Sequence, residues 1–133
     1  KIAFGQHSGV VNPSTDFKYI PRFALNETYG NIDRLRLILN TLPIPVAEIT
    51  PANPFIKNQN PPDFGFTVNL SIKNLNRLSC FSSNEGRLNV QRIGHRIEIR
   101  MNRPFPAGRT RINCTMPGPN NRWRWLGRLF VVP

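Results

Sequence analysis

Apolar and polar residues alternate with a period of two along the second half of the chain. The alternation covers residues 66–72, 88–91, 96–101, 111–114 and 122–125, and residues 78–81 and 129–132 form two further short apolar segments. Turn-forming Asn, Gly and Pro residues separate these segments. Strands with one apolar and one polar face at this spacing are typical of antiparallel sheets packed face to face. We therefore predict a mainly β fold, an antiparallel β-sandwich of the immunoglobulin or fibronectin type.

The first 46 residues follow a different pattern. Residues 2–5 predict a short buried strand, and residues 31–42 place apolar side chains at helical spacing, with Asn31 as N-cap and Pro43 as stop. One strand and one helix cannot bury a core alone. The Pro-rich residues 42–46 predict an extended connector. We place a domain boundary at residue 46, with 1–46 as a piece of a larger fold and 47–133 as the sandwich.

Charge is the second distinctive feature. The 133 residues carry 18 Lys and Arg against 7 Asp and Glu, a net charge of +11. Most of the cations are Arg in the second half, where they alternate with apolar residues and are expected on the wet faces of strands. A basic face of this kind suits nucleic acid, an acidic glycan or a membrane surface, and it is equally compatible with a plain solvated surface. No segment approaches the roughly 20 apolar residues of a membrane span.

The two cysteines, Cys80 and Cys114, both fall on the apolar phase of separate predicted strands. They show no metal-ligand spacing. We favour a disulfide between them over two buried free thiols, because the composition suits an exported protein.

Catalytic residue types are few, and His7 is the one candidate. It directly follows the predicted first strand in a loop bracketed by glycines. Active sites of α/β barrels form in the loops after strands. The alternative for His7 is an ordinary loop histidine. His95 lies in a predicted turn and is expected to be solvated.

Two groups of sequence strings resemble a known family. Residues 2–9 (IAFGQHSG), 21–24 (PRFA) and 26–30 (NETYG) resemble the end of the catalytic domain of bacterial polysaccharide deacetylases of the NodB-homology type, carbohydrate esterase family 4. Residues 111–117 (RINCTMP) and 122–127 (RWRWLG) resemble the C-terminal β-domain that follows it in the same group.

The resemblance implies a distorted α/β barrel that removes acetyl groups from N-acetylated sugars of polysaccharides such as peptidoglycan. Members hold a divalent metal, usually zinc, on one Asp and two His, with a second Asp as base and a further His as acid. This chain has no Asp-Asp pair and no His-x-x-x-His. The resemblance therefore assigns the metal site and the base to a segment before Lys1, no cofactor to this chain, and no activity to the chain alone.

We interpret residues 1–46 as the end of such a barrel and residues 47–133 as an accessory sandwich of a periplasmic or secreted bacterial enzyme. The expected partners are the rest of the barrel and a glycan, with neither a membrane span nor nucleic acid. His7 is the catalytic candidate, and the substrate-binding candidates are Arg22, Arg122, Trp123, Arg124 and Trp125.

Two other functions stay open. A free-standing carbohydrate-binding or adhesion module could stack sugars on Trp123 and Trp125, and a basic nucleic-acid-binding domain is the remaining alternative. The two Trp share one face of a strand because they are two residues apart. We expect that face to be the core, which would deprive the carbohydrate-binding module of its platform.

Overall fold

The computed structural model describes residues 1–69 and 71–133, so Leu70, which belongs to a predicted strand, lies outside the described residues. One helix and nine strands form in this part of the chain. They are α1 (Ile32–Leu39), β1 (Leu42–Pro43), β2 (Val46–Thr50), β3 (Phe64–Val68), β4 (Ser79–Ser82), β5 (Gly86–Arg87), β6 (Asn89–Ile93), β7 (Arg96–Arg100), β8 (Gly108–Pro117) and β9 (Trp123–Val132). Short 3₁₀ turns lie at Leu75–Arg77 and Pro119–Asn121.

The strands form two sheets that pack on each other. One sheet has the order β1-β9-β8-β4-β5 and the other the order β2-β3-β7-β6, with every pair antiparallel except β1 and β9. Apolar side chains from both sheets form one core, in which the ring of Phe64 on β3 meets that of Phe130 on β9 at 5.3 Å. The predicted mainly β sandwich is confirmed.

Most predicted strands lie where the alternation puts them. The segments 122–125 and 129–132, predicted as two strands, instead form the single strand β9, because the ladder with β8 continues through Gly127, which pairs with Asn113. The predicted connector 42–46 is extended, and it also contributes to both sheets. Between β1 and β2 the chain crosses from one sheet to the other, and Ile44 at the crossing is only 3 % exposed.

The cysteines form the predicted disulfide. Cys80 on β4 and Cys114 on β8 face each other directly in the ladder, and both side chains lie in the core. The bond joins neighbouring strands of one sheet, whereas the disulfide of antibody domains joins the two sheets.

Residues 2–5 do not form the predicted buried strand. Phe4 forms only an isolated bridge to Ile20, and the side chains of Ile2 and Phe4 are 71 % and 69 % exposed. The prediction of burial is wrong because, among the described residues, this segment pairs with only one other residue, Ile20. No sheet packs over the side chains of Ile2 and Phe4.

Helix α1 begins as predicted and ends earlier. The Asn31 side chain caps it by accepting a hydrogen bond from the Arg34 N–H at 2.8 Å. The helix ends at Leu39 rather than Leu42, because Leu42 precedes a proline and pairs with β9 in an extended conformation.

Candidate functional site

A cleft of about 790 Å³ separates the N-terminal segment from the edge of the sandwich. His7 and Tyr19 line it from the N-terminal segment, and Trp125 and Arg128 line it from β9. Much of the remaining wall is apolar and comes from the crossing between the sheets (residues 43–47 and Ile49) and from prolines 13 and 21. Small-molecule sites are typically mostly apolar clefts with a few polar groups.

The backbone of Ser8 approaches strand β9 very closely beside this cleft. A side-chain carbon placed on Gly127 would lie 1.7 Å from the carbonyl oxygen of Ser8. Glycine inside a strand often marks such a close approach of another backbone segment. The glycine therefore lets the N-terminal segment lie directly on the sheet and brings His7 next to Arg128.

His7 is buried, with 7 % of its surface exposed, and its ring stacks on Tyr19 with centroids 4.3 Å apart. Its Nδ1 has no hydrogen-bond partner among the described residues. Gly5 makes room for the ring, since a side-chain carbon there would lie 2.5 Å from Nδ1. Burial, with a contribution from the Arg128 cation, lowers the pKa of His7 to about 4. The imidazole is therefore neutral at pH 7.

Arg128 and Tyr19 complete a polar cluster with His7. The Arg128 guanidinium donates hydrogen bonds to the carbonyl oxygens of Pro51 at 2.9 Å and Ala52 at 2.6 Å, while its Nε is buried without a partner. Burial lowers the pKa of Arg128, which still carries its charge at neutral pH. Burial raises the pKa of Tyr19, against smaller opposite contributions from the Arg128 cation and from a hydrogen bond with the Leu129 backbone.

Sequence reasoning singled out neither Tyr19 nor Arg128 as a site residue. One feature of the sequence could have identified Arg128 as a buried cation. It lies between Leu126 and Phe130 on the phase of β9 that packs against the core, and a cation on an apolar phase requires a partner.

A second concavity, of about 360 Å³, lies on the outer face of the sheet that contains β8 and β9. We call it the aromatic shelf. It is lined by Leu37, Phe81, Asn113, Thr115, Trp123 and Trp125. Phe81 and Trp123 are 44 % and 43 % exposed.

The expectation that the two Trp face the core is wrong. Trp125 pairs with the half-buried Thr115, whereas Arg124 pairs with Met116, whose side chain is fully buried in the core. Paired residues share a face of a sheet, so the Trp lie outward and Arg124 lies on the inward phase. The Trp125 indole N–H donates to Asn113 Oδ1 at 3.1 Å, which fixes one wall of the shelf.

Trp125 lies between the two concavities and is held by aromatic and cationic contacts. The Phe23 ring meets it edge-on at 5.2 Å, and the Arg34 guanidinium lies 5.4 Å from its ring centre. It lines both the cleft and the aromatic shelf.

The three arginines predicted to bind substrate, Arg22, Arg122 and Arg124, line neither the cleft nor the aromatic shelf. Arg122 donates through Nε to the carbonyl oxygen of Asn40 at 2.7 Å, and Arg124 donates to that of Pro43 at 2.8 Å. These bonds tie the end of α1 and the strand β1 to β9. Arg22 is exposed, and its backbone N–H donates to the His7 carbonyl oxygen at 3.0 Å. The structure thus brings the two Trp together on the shelf and leaves these guanidinium groups outside its lining.

The outer face of the sheet β2-β3-β7-β6 carries less net positive charge than its arginines alone would give it. Arg96 and Arg100 on β7 both pair with Glu98, at 2.7 and 2.9 Å. Hydrogen bonding to Arg96, with a smaller contribution from Arg100, holds the pKa of Glu98 below its usual range. One carboxylate therefore offsets part of the charge of this face.

The cleft does not fit the zinc site that the resemblance implies. Among its described lining residues only His7 and Asp16 offer the imidazole or carboxylate ligands that zinc takes, and the Arg128 cation next to His7 disfavours a divalent metal there. Across residues 1–69 and 71–133, no group of three or more His, Cys, Asp and Glu lies close enough together to hold a metal ion.

Within the described residues, no helix is long and apolar enough to cross a membrane. No protein-family model, curated protein or solved structure matches the chain.

Proposed function

We propose that this chain is the C-terminal segment of a metal-dependent bacterial polysaccharide deacetylase. In this proposal residues 1–46 complete an α/β barrel whose remainder another segment of the same precursor supplies. Residues 47–133 form an accessory sandwich. The metal, the base and the acetyl-binding groups belong to the other segment, and the chain alone does not hydrolyse acetyl groups.

The uneven distribution of exposed apolar side chains supports this proposal. Of the twelve large apolar side chains that are exposed in the described residues, eight precede residue 40: Ile2, Phe4, Val11, Phe17, Leu25, Tyr29, Ile32 and Leu39. Helix α1 buries none of its residues fully. Fully burying one such side chain is worth about 1.5–3 kcal/mol. An apolar surface concentrated in one segment is what a barrel fragment would present to its missing neighbours.

His7 would have a limited role in such a barrel. A general acid works best when its pKa lies near the working pH. With a pKa of about 4 the imidazole is neutral at pH 7 and only weakly basic, so in this environment it would donate or accept one hydrogen bond and would not supply a proton. Packing of the rest of the barrel against His7 would change this environment and with it the pKa of the imidazole.

The aromatic shelf would position the glycan. Exposed aromatic faces such as those of Trp123 and Phe81 can pack against the apolar C–H face of a sugar ring. The Asn113 amide and the Thr115 hydroxyl, which also line the shelf, offer hydrogen bonds to sugar hydroxyls. Such contacts contribute binding energy and orientation, and no bond-breaking group.

The shelf also supports a second candidate, a free-standing carbohydrate-binding module. This candidate needs no other segment and predicts glycan binding by the 133-residue chain itself. It leaves the exposed apolar surface of residues 1–39 without a role, which is why we rank it second.

The coding sequence ahead of Lys1 separates the two candidates. The deacetylase proposal predicts an in-frame upstream segment with an Asp-Asp pair and a His-x-x-x-His motif. A reading frame that starts at or near Lys1 would contradict it. The periplasmic or secreted location forms part of the same proposal, and a buried disulfide is compatible with an oxidising compartment.

A further inference from the structure

Two arginines flank the aromatic shelf on the outer face of its sheet. Arg87 on β5 lies directly opposite Phe81 on β4, and Arg111 on β8 lies two residues before Asn113, which pairs with the same Phe81. Cβ atoms of directly opposite residues are about 5 Å apart, and diagonal neighbours lie about 7–8 Å apart, within reach of long side chains. Both arginine side chains therefore border the shelf at Phe81.

Both guanidinium groups are free to meet a ligand. Arg87 and Arg111 are exposed, and the three ion pairs of the described residues are formed by other arginines. Every hydrogen bond that an arginine side chain donates in the described part of the chain also comes from another position. An anion at the shelf would displace no internal contact of these two groups.

No carboxylate opposes them from the shelf. Among the described residues, no Asp or Glu lines it. Glu85 lies two residues before Arg87, but both of its carboxylate oxygens accept from the Asn102 backbone N–H at 3.1 Å, in the segment that follows β7 of the other sheet. Asp33 lies one helical turn before Leu37 and already pairs with an arginine of its own helix. That helix leads into β1, at the edge of the sheet opposite to β5. The side of the shelf next to Phe81 is therefore positively charged.

The arrangement of rings and charges selects the ligand. A guanidinium group matches the two oxygens of a carboxylate. The three strand spacings from β9 to β5 cover about 14 Å, so a ligand that meets both the tryptophans and the arginines extends beyond one sugar ring. Near the tryptophans, Arg122 and Arg124 donate to backbone carbonyl oxygens, so the free positive charge lies at one end only. A chain with neutral and anionic units in turn fits this distribution better than a nucleic acid, whose charge is continuous.

We propose that the aromatic shelf binds an acidic glycan, in which a neutral N-acetylated sugar packs on Trp123 and the carboxylate of a neighbouring sugar meets Arg87 and Arg111. This inference rests on the glycan-positioning role proposed for the shelf. It adds the class of glycan and the two residues that select it.

A hyaluronan tetrasaccharide and its methyl ester test the proposal. Both alternate N-acetylglucosamine with glucuronic acid, and only the first carries carboxylates. The 133-residue chain is titrated with each, and NMR follows the indole N–H of Trp123 and the Nε–H of Arg87 and Arg111. We expect saturable shifts of all three signals with the acid, and roughly fivefold weaker binding of the ester. Added salt should weaken binding of the acid and leave that of the ester unchanged.

The double variant R87Q/R111Q removes both charges and keeps two polar side chains. It should bind the acid roughly fivefold more weakly than the unmodified chain and bind the ester equally well. The matched control is Arg92→Gln, the same substitution at an exposed arginine of β6 in the other sheet, and it should bind both like the unmodified chain. Amide spectra report that both variants are folded.

Equal affinity for acid and ester, or unchanged affinity for the acid in R87Q/R111Q, would overturn the proposal and leave the shelf as a site for neutral glycans. Absence of binding of both tetrasaccharides would overturn it together with the glycan-positioning role. Tighter binding of a short oligothymidylate than of the acid would also overturn it, because it would assign the shelf to nucleic acid. Acetate release by the complete protein is measured independently of these titrations, so failure of the deacetylase proposal is distinguishable from failure of this one.

Discussion

Removing the disulfide between Cys80 and Cys114 should lower the thermal stability of the sandwich by a predictable amount. The two cysteines are 34 residues apart in the sequence. Closing a loop of this length in the unfolded chain reduces its entropy, which corresponds to about 3.8 kcal/mol of stability at 25 °C. For a chain of 133 residues the unfolding entropy at the midpoint is about 0.28 kcal/mol/K. The double variant C80A/C114A should therefore melt about 14 °C below the oxidised chain.

Differential scanning calorimetry under non-reducing conditions measures this shift. The matched control is S79A/T115A, which alters the adjacent pair of the same ladder and cuts no covalent bond. We expect the control to stay within about 4 °C of the unmodified chain, because small changes at half-buried positions cost about 1 kcal/mol or less. A C80A/C114A midpoint that falls no further than that of the control would show that the bond does not stabilise the sandwich by constraining the unfolded chain.

Three further predictions concern the docked N-terminal segment and the second sheet. Gly127→Ala should release residues 1–22 from β9, because the added methyl carbon would overlap the Ser8 carbonyl oxygen. Amide hydrogen exchange should then show lost protection in residues 1–22 and retained protection in β8. Unchanged exchange in residues 1–22 would contradict the close contact between Ser8 and Gly127. The pKa of His7, lowered to about 4, predicts stability that is complete above pH 6.5 and declines as the pH falls towards 4, since the unfolded chain takes up that proton first. Urea titrations of His7→Phe across this range should lack that decline, and an identical pH dependence in both proteins would count against the buried imidazole. Glu98→Gln should cost less than about 1 kcal/mol in urea unfolding, because its two ion pairs are partly exposed, and a larger loss would mean that they are better shielded than their exposure indicates.

Strands β7 and β8 were predictable because each has one solvent-exposed face and one buried face. Alternation along β7 and β8 identifies both the strands and the inward side of each, and the inward position of Cys80 and Cys114 follows from the same count. The disulfide was predictable on those grounds, although its location within one sheet depends on strand order, which periodicity does not contain.

The first two strands could not be found in the same way. Strand β1 has two residues, and its partner Arg124 lies more than 80 positions away. Strand β2 contains a register shift between Ala47 and Thr50, which breaks the period of two. Proline at position 43 correctly indicated extended backbone, and pairing of that backbone is a tertiary effect.

The direction of the two Trp was misassigned for a specific reason. In β9 both phases carry large apolar residues, and the inward phase also carries Arg124 and Arg128. These arginines tolerate the inward phase because each donates to backbone carbonyl oxygens. The alternation of Arg and Trp alone therefore pointed to the wrong face. The cleft cluster was hidden for a similar reason, since the loop that carries His7 has no period from which its contacts could be read.

Acetate release from N-acetylglucosamine oligomers is the direct test of the proposed deacetylase function. The assay uses the protein encoded by the complete reading frame that contains these residues, with and without a zinc chelator. We expect metal-dependent release of acetate by that protein and none by the 133-residue chain alone. Absence of acetate release from the complete, zinc-loaded protein on N-acetylated glycans, or release by the 133-residue chain on its own, would contradict it.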